Sequence, residues 1–522
     1  MGLLSLKRLM STQREQKRRR RQVQARRCVA DGSIASLVKH KGPPYQQQNQ
    51  GVKIMRNSCP SLPEDIWYLI HSLLPLQDAA RTACVSHTFL RSWRCYPNLI
   101  FDMETIGLMR GNSLKKRKVR LSVIDHIMKN HSGIGLRTFM VETYRWVNTS
   151  YIDRWLQIAI TPAIEELTLT LYSKGDNLKY YSFPFSLLSS RGGNSIKHLN
   201  LSQCAFHPTA GLNCLISLHL WDVCVTGDEL GCLLSSSSSL EQLELGYCKD
   251  LNYLKIPCLL ERLNDLEVYQ CKDLQMMEVK APNLSHFRYV GDMARLSDGG
   301  IIAVKNLDIS FYIQHNAIHY VCAKLPSILP TTETLTIKSL REEINTPVAH
   351  FRFLHLKCLT IYLNYFWEAL SPYDCLSLAY FLDACPVLET FNLTVWQHGR
   401  IHDVISEDYS RLRQMPGVRH DKIRNVEIIG FFSAKSMVEL ACHILKNATS
   451  LECLTLDTIN DGYKNPDRLS VHKIGCCSPI DEDLIMEAKN ALFAIRRYIV
   501  GKVPSTVKLD VLKPCSWCHT GR

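Results

Sequence analysis

No run of about 18 consecutive apolar residues occurs in this chain of 522 residues, so it offers no candidate for a membrane-spanning helix. The opening MGLLSLKRLM is too short for a signal h-region, and Ser5 stands one place early for a myristoylation motif. There is no Walker loop, no dinucleotide glycine fingerprint after a strand, no G-x-S-x-G elbow and no H-E-x-x-H. The 19 histidines show no paired spacing that favours a metal. No catalytic residue, cofactor or metal is therefore expected. Cysteine is plentiful at 21, yet without the density of a disulfide scaffold, and reads as reduced core thiols of a cytosolic or nuclear protein. Five N-x-[ST] triplets, at Asn148, Asn200, Asn283, Asn392 and Asn447, carry weight only beside an export signal and read as coincidence. Cys515-Ser516-Trp517-Cys518-His519 has the spacing for haem attachment, and with His472, Cys476 or Cys477 it could supply zinc ligands; packed or tail thiols are the default reading.

Acidic residues are scarce at one end only. Residues 1–55 hold thirteen Lys or Arg against Glu15 and Asp31, a net +11 of the total +13, which leaves +2 for everything else. With the run Lys17, Arg18, Arg19, Arg20 and Arg21, the pair Arg26-Arg27 and the patch Gln46 to Gln50, residues 1–57 read as a disordered basic arm. That arm is a solvated or gene-model extension, a nuclear localisation signal, a nucleic-acid contact or, least favoured, a mitochondrial presequence. A second basic cluster, Lys115 to Lys118 with Arg120, reads as a solvated turn.

The stretch Leu62 to Phe101 differs from the rest. Pro63 suits the first turn of a helix, and Glu64 with Asp65 put negative charge at the positive end of its dipole. Ile66, Ile70, Leu73 and Leu74 form an apolar stripe that Pro75 ends. Asp78 is expected to cap a second short helix carrying Ala79, Ala80, Ala83 and Val85, and Ser86 a third carrying Phe89, Leu90 and Trp93. Three short helices bury little among themselves, so an adhesive face is expected.

Leu62-Pro63 with Asp65, the turn Leu73-Leu74-Pro75-Leu76, Asp78-Ala79-Ala80, Val85-Ser86 and Phe89 to Trp93 together resemble the F-box. The resemblance implies binding to a Skp-type adaptor, and through it to a cullin. It places Leu62, Pro63, Ile66, Ile70, Leu74, Pro75, Leu76, Val85 and Trp93 at that interface, with His87 where the family often has a basic residue. The bland alternative is a helical hairpin belonging to the following domain.

From about residue 134 apolar residues recur at offsets 0, 3 and 5. The clearest forms are Ile196-Leu199-Leu201, Leu240-Leu243-Leu245, Leu263-Leu266-Val268 and Leu451-Leu454-Leu456. Weaker forms centre on Phe139, Leu167, Leu218, Phe287, Leu307, Leu335, Leu359, Phe391 and Val426. The thirteen centres lie about 26 residues apart, in the range of leucine-rich repeats. Cys204, Cys248 and Cys271 complete several units at offset 8. Intervals of 19 to 25 residues between Leu199 and Leu307 give way around residues 167–199 and 359–426 to 28 to 35, so the solenoid is expected to be irregular there. Between the inward leucines, His198, Asn200, His219, Trp221, Glu244, Glu267, Tyr269 and Arg288 are expected on the concave face. Of these, His219, Trp221, Glu244, Glu267, Tyr269 and Arg288 are candidate contacts to a target protein, with Trp221 and Tyr269 as anchors; ordinary solvated strand residues are the alternative.

Towards the end, Ser433 is expected to cap a helix with Met437, Leu440, Ala441, Ile444 and Leu445 inward. Asp481 to Asp483 open another with Leu484, Ala488, Ala491, Leu492 and Ile495 inward, and Val507, Leu509 and Val511 alternate as a closing strand. This region resembles the C-terminal segment of plant F-box proteins with leucine-rich repeats and an FBD-type ending. The fold class expected is α/β: a disordered arm over 1–57, a small helical F-box over 58–102, an irregular leucine-rich-repeat solenoid over 103–460 and a repeat cap with the FBD-like segment over 461–522. The function implied is that of a substrate-recognition subunit of an SCF-type ubiquitin ligase in nucleus or cytoplasm. An F-box protein acting outside the ligase, a small-molecule receptor and a nucleic-acid-associated protein using the arm are the alternatives.

Overall fold

The computed structural model describes residues 63–85, 87–102, 114–144, 147–172, 179–192, 195–291, 295–296, 304–311, 316–340, 342, 345–346, 352–363, 373–396, 412–460, 480 and 482–514. The chain divides into two units, Met1–Ser61 and Leu62–Arg522, and every described residue lies in the second. The basic run Lys17 to Arg21 therefore lies outside the described residues, as do Leu62, Ser86, Cys476, Cys477 and the tail from Cys515.

Three short helices open the second unit: α1 (Glu64–Ser72), α2 (Leu76–Ala83) and α3 (His87–Trp93). Pro63 and Pro75, not Asp78, stand at the caps of the first two. A proline just before a helix loses nothing by lacking an N–H and cannot extend the preceding turn. Asp78 sits inside the first turn of α2 and pairs with Arg81 at 2.9 Å.

Fifteen strands then form one sheet whose order is the order of the chain, every neighbouring pair parallel, from Asn98–Phe101 to Lys508–Leu512. One register row runs Leu99, Phe139, Leu167, Leu199, Leu218, Leu243, Leu266, Phe287, Leu307, Leu335, Leu359, Phe391, Val426, Leu454 and Leu509. All thirteen predicted repeat centres stand in that row, and it continues by one strand at each end. The row is buried up to Leu454 and half-buried at Leu509. Each fully buried Leu or Phe is worth roughly 1.5–3 kcal/mol.

What lies behind each strand follows the interval length. The repeat after Leu167 carries a short helix at Phe185–Leu187, and the 28-residue step from Leu307 to Leu335 has room for the helix Ala317–Ile328. Between Leu243 and Leu307 the steps are shorter, and the segments Tyr253–Ile256, Met276–Val279 and Arg295–Leu296 pair instead as a second parallel sheet. The repeat cysteines serve the same economy of space. Cys248 and Cys271 are buried, and their thiols donate to the carbonyls of Leu220 and Leu245 in the preceding strands, each at 3.7 Å.

Two further expectations change. The basic cluster at Lys115 to Lys118 lies in the helix α4 (Leu114–Asn130), not in a loop. Its apolar period sits further on, at Leu121, Ile124 and Met128, and the run of charge masks its start. Arg120 is buried and donates to the carbonyl oxygens of Phe101 at 3.2 Å and Glu142 at 2.7 Å, tying the first two strands together. Ser433 does not cap the helix Lys435–Asn447; Ala434 holds that position, and the Ser433 N–H donates to Glu487. The predicted stripe Met437, Leu440, Ala441, Ile444 and Leu445 is buried as expected. The helix Glu482–Ala494 and the closing strand also form where expected, with Leu484, Ala488, Ala491 and Ile495 buried and Leu492 half-buried. Four of the N-x-[ST] asparagines make side-chain hydrogen bonds: Asn148 caps the helix Thr149–Ala159, Asn283 donates to the Glu261 carbonyl, Asn392 to the Thr360 hydroxyl and Asn447 to the His443 carbonyl.

One buried carboxyl makes stability depend on pH. Glu342 accepts from the Ile318 N–H at 2.8 Å at the start of the helix Ala317–Ile328, and burial pushes its carboxyl up to about 7 against the pull of that hydrogen bond. Because the folded value is raised, its stabilising contribution is full below about 4.5, declines as pH rises and is gone above about 7. Unfolding by denaturant should therefore show Glu342→Gln gaining on wild type by on the order of 1–3 kcal/mol between pH 5 and pH 8. A difference that stays constant across that range would contradict the assignment.

Candidate functional site

The first candidate surface is the outer side of α1. Helical spacing places Trp67, His71 and Leu74 on one face and Ile66, Leu69, Ile70 and Leu73 on the other. The first face packs inward. Trp67 meets Phe89 edge-on at 5.2 Å, and His71 lies 5.5, 6.2 and 5.7 Å from the rings of Phe89, Trp93 and Tyr96. His71 Nε2 donates to the Ala79 carbonyl at 2.9 Å, which joins α1 to α2, and Tyr96 donates to the Leu74 carbonyl at 2.7 Å. Burial pushes the Tyr96 hydroxyl up from its ordinary value, so it stays a donor.

The second face is apolar with nothing over it among the described residues. Ile66, Ile70 and Leu90 are exposed, Leu69 is 55% exposed and Leu73 77%, and Val85 on the loop after α2 is 85% exposed. Of the residues placed at the adaptor interface by the F-box resemblance, Pro63, Ile66, Ile70, Pro75 and Val85 are exposed. Leu74, Leu76 and Trp93 are half-buried against the module's own core, and Leu62 is outside the described residues. The structure adds Leu69, Leu73 and Leu90 to the exposed set. The helical spacing of Leu69 and Leu73 from Ile66 and Ile70 was available in the sequence, and Leu90 lies on α3; the sequence did not show which of two apolar faces turns inward.

The second candidate surface is the face of the large sheet opposite the core. Asn200, His219, Glu244, Glu267, Arg288 and Asp308 occupy one register row. They form a charge ladder: His219 Nδ1 lies 2.7 Å from Glu244, Arg288 lies 3.2 Å from Glu267 and 3.3 Å from Asp308, and Lys338 reaches Asp308 at 2.8 Å. Burial raises the Glu267 carboxyl, with Arg288 opposing. Partly exposed pairs of this kind add at most about 1 kcal/mol each, so the ladder orients side chains more than it stabilises the fold.

Next to the ladder, Trp221, Gly246 and Tyr269 share the following outward row. The two rings stack over the glycine at 5.4 Å, and Tyr247 meets both at 5.2 Å. A Cβ at position 246 would lie 2.2 Å from the Trp221 ring, so only glycine permits the stack. Tyr247 has φ +52° just past its strand, where Gln203, Asp222 and Gln270 take the same turn in their own repeats. Tyr180 donates to Asp222 at 2.7 Å, and the Lys249 ammonium lies 4.8 Å from the Tyr180 ring centre and 3.3 Å from Asp222. The eight residues expected on this face are all there, half-buried or exposed. Tyr180, Tyr247, Asp308 and Lys338 were missed. Asp308 and Lys338 were within reach by continuing the alternation, but Tyr247 follows the strand on a left-handed residue, where period-two reasoning stops.

Among known proteins, the At1g61320/AtMIF1, LRR domain family matches residues 127–516. Three Arabidopsis thaliana proteins illustrate the likeness. The putative F-box/FBD/LRR-repeat protein At5g56810 is 24% identical over 77% of this chain and 90% of its own length. The F-box/LRR-repeat protein At3g58900 is 24% identical over 47% of this chain and 76% of its own. The F-box protein At1g80960 is 23% identical over 45% and 50%. The chain spans about half the length of At1g80960 and of other curated relatives that it matches, 56% and 53% in two of them. With a parallel repeat sheet behind an F-box-like helical module, and a family match over most of its length, the chain belongs to the At1g61320/AtMIF1 LRR-domain family and is a plant F-box protein with leucine-rich repeats.

Proposed function

We propose that this chain is the substrate-recognition subunit of an SCF-type ubiquitin ligase, with α1 to α3 seated on a Skp-type adaptor linked to a cullin, and the sheet face holding a target protein. The observation that carries this reading is the bare stripe Ile66, Leu69, Ile70 and Leu73 on a helix whose opposite face packs inward. Apolar surface left in water forgoes about 25 cal/mol per Å², and a continuous stripe of it marks a docking site. Charge ladder and aromatic stack then form a second, mixed surface in which large rigid rings act as anchors. The chain contributes by proximity, holding target lysines near a charged conjugating enzyme, and supplies no reacting group of its own. The basic run Lys17 to Arg21 is assigned to nuclear import, with the chain working in nucleus or cytoplasm.

Leu73→Asp with Val85→Asp is the sharpest test of the adaptor surface, because both side chains are exposed and the fold does not need them. Calorimetry with the adaptor should show roughly 30-fold weaker binding or more, with an unchanged melting temperature. Unaltered affinity would remove the adaptor surface from α1. For the target surface, Trp221→Ala with Tyr269→Ala should keep adaptor affinity while proteins stabilised by loss of the chain fall at least ~10-fold in quantitative co-purification. Equal recovery by the double variant and by wild type would place target recognition elsewhere.

A further inference from the structure

Asp383, His420 and His443 converge from three consecutive repeats. Asp383 ends the helix Leu378–Asp383, His420 is bridged to Ala448 ahead of the strand Asn425–Ile429, and His443 lies near the end of the helix Lys435–Asn447. One ligand atom from each lies within 4.8 Å of the other two. His420 is 4% exposed, and its Nε2, 3.2 Å from Asp383 Oδ1, has no hydrogen-bond partner among the described residues. A buried ring nitrogen at that distance without a hydrogen bond is aimed past the carboxylate. Two donors bound at about 2.0–2.1 Å on a tetrahedral ion stand roughly 3.3 Å apart, which matches the 3.2 Å separation seen here.

The surroundings hold these groups in place. The Val418 N–H donates to Asp383 Oδ1 at 3.3 Å, the kind of outer contact that orients a ligating carboxylate. A Cβ on residue 417 would lie 2.5 Å from Asn447 Nδ2 and 2.7 Å from His443 Cε1, so glycine lets the chain pass close to both side chains. His443 also borders a cavity of about 430 Å³.

We propose that Asp383, His420 and His443 form a binding site for a zinc-class divalent cation, with the fourth position left to water. Two imidazoles and one carboxylate suit zinc over magnesium or calcium, which take oxygen donors. The site clasps the repeat of strand Thr390–Val395 to those of Asn425–Ile429 and Cys453–Asp457, across the 35-residue step from Phe391 to Val426. That step is the longest between predicted repeat centres, so a clasp there shortens a long loop that strand pairing must close.

The test uses the full chain carrying Cys515→Ser and Cys518→Ser, so that the tail thiols cannot bind, stripped of metal with a chelator. Titration with Co²⁺ followed by absorption, and with Zn²⁺ by calorimetry, should show one saturable equivalent with four-coordinate Co²⁺ bands and a raised melting temperature. His443→Gln should abolish that equivalent, and Asp383→Asn should weaken it by at least ~10-fold. Both variants should match the metal-free parent in circular dichroism and melting temperature, since the role assigned is ligation and not packing. Absence of a saturable equivalent in the parent, or its full retention in His443→Gln, overturns the site. Should His443→Gln fail to fold, the parent titration with the Asp383→Asn affinity decides.

Discussion

The whole second unit depends on one register row. Leu99, Phe139 and their counterparts through Leu454 stand one above another, each strand covering the apolar side chain of the next. No single repeat of this size can bury its own leucine, so the row forms only as an array, with its residual cost at the ends. At the start that cost is met by α4, whose Ile124 and Met128 are buried and whose Arg120 satisfies strand carbonyls. At the far end Leu509 remains only half-covered.

This constraint explains where function can reside. Residues pointing into the row are committed to packing, and those pointing out are free to vary in chemistry without cost to the fold. The outward positions carry a ladder of charged side chains and a stack of rings that exists because Gly246 leaves space beneath it. The helical module obeys another logic. α1 is apolar on two sides, and the aromatic cluster around His71 uses just one of them. An element built this way is only half-satisfied within its own chain, whereas the sheet is complete without a partner.

Much of this was legible in the sequence, for a physical reason. Parallel stacking demands the same residue type at the same place in every unit, and offsets 0, 3 and 5 record that demand directly. Hence the centres from Phe139 to Leu454, the closing strand at Leu509 and the helix after Ala434 are all where periodicity put them. The F-box pattern was equally readable, because prolines at positions 63 and 75 punctuate short helices whatever surrounds them. Periodicity failed where charge hid it, as at Lys115 to Lys118, and where a partner came from another segment, as with Glu487 accepting from the Ser433 N–H.

The sequence by itself therefore determined the repeat, the direction each strand side chain faces and the presence of a helical module before the array. Only the tertiary structure decided which apolar face of α1 turns inward, because helical spacing treats Trp67-His71-Leu74 and Ile66-Ile70-Leu73 alike until Phe89, Trp93 and Tyr96 are in place. It alone also brought Asp383 beside His420 and His443, residues that share no spacing along the chain. Local periodicity is set by covalent geometry and can be read in one dimension; contacts between separate elements come from how they pack, and packing exists only in three.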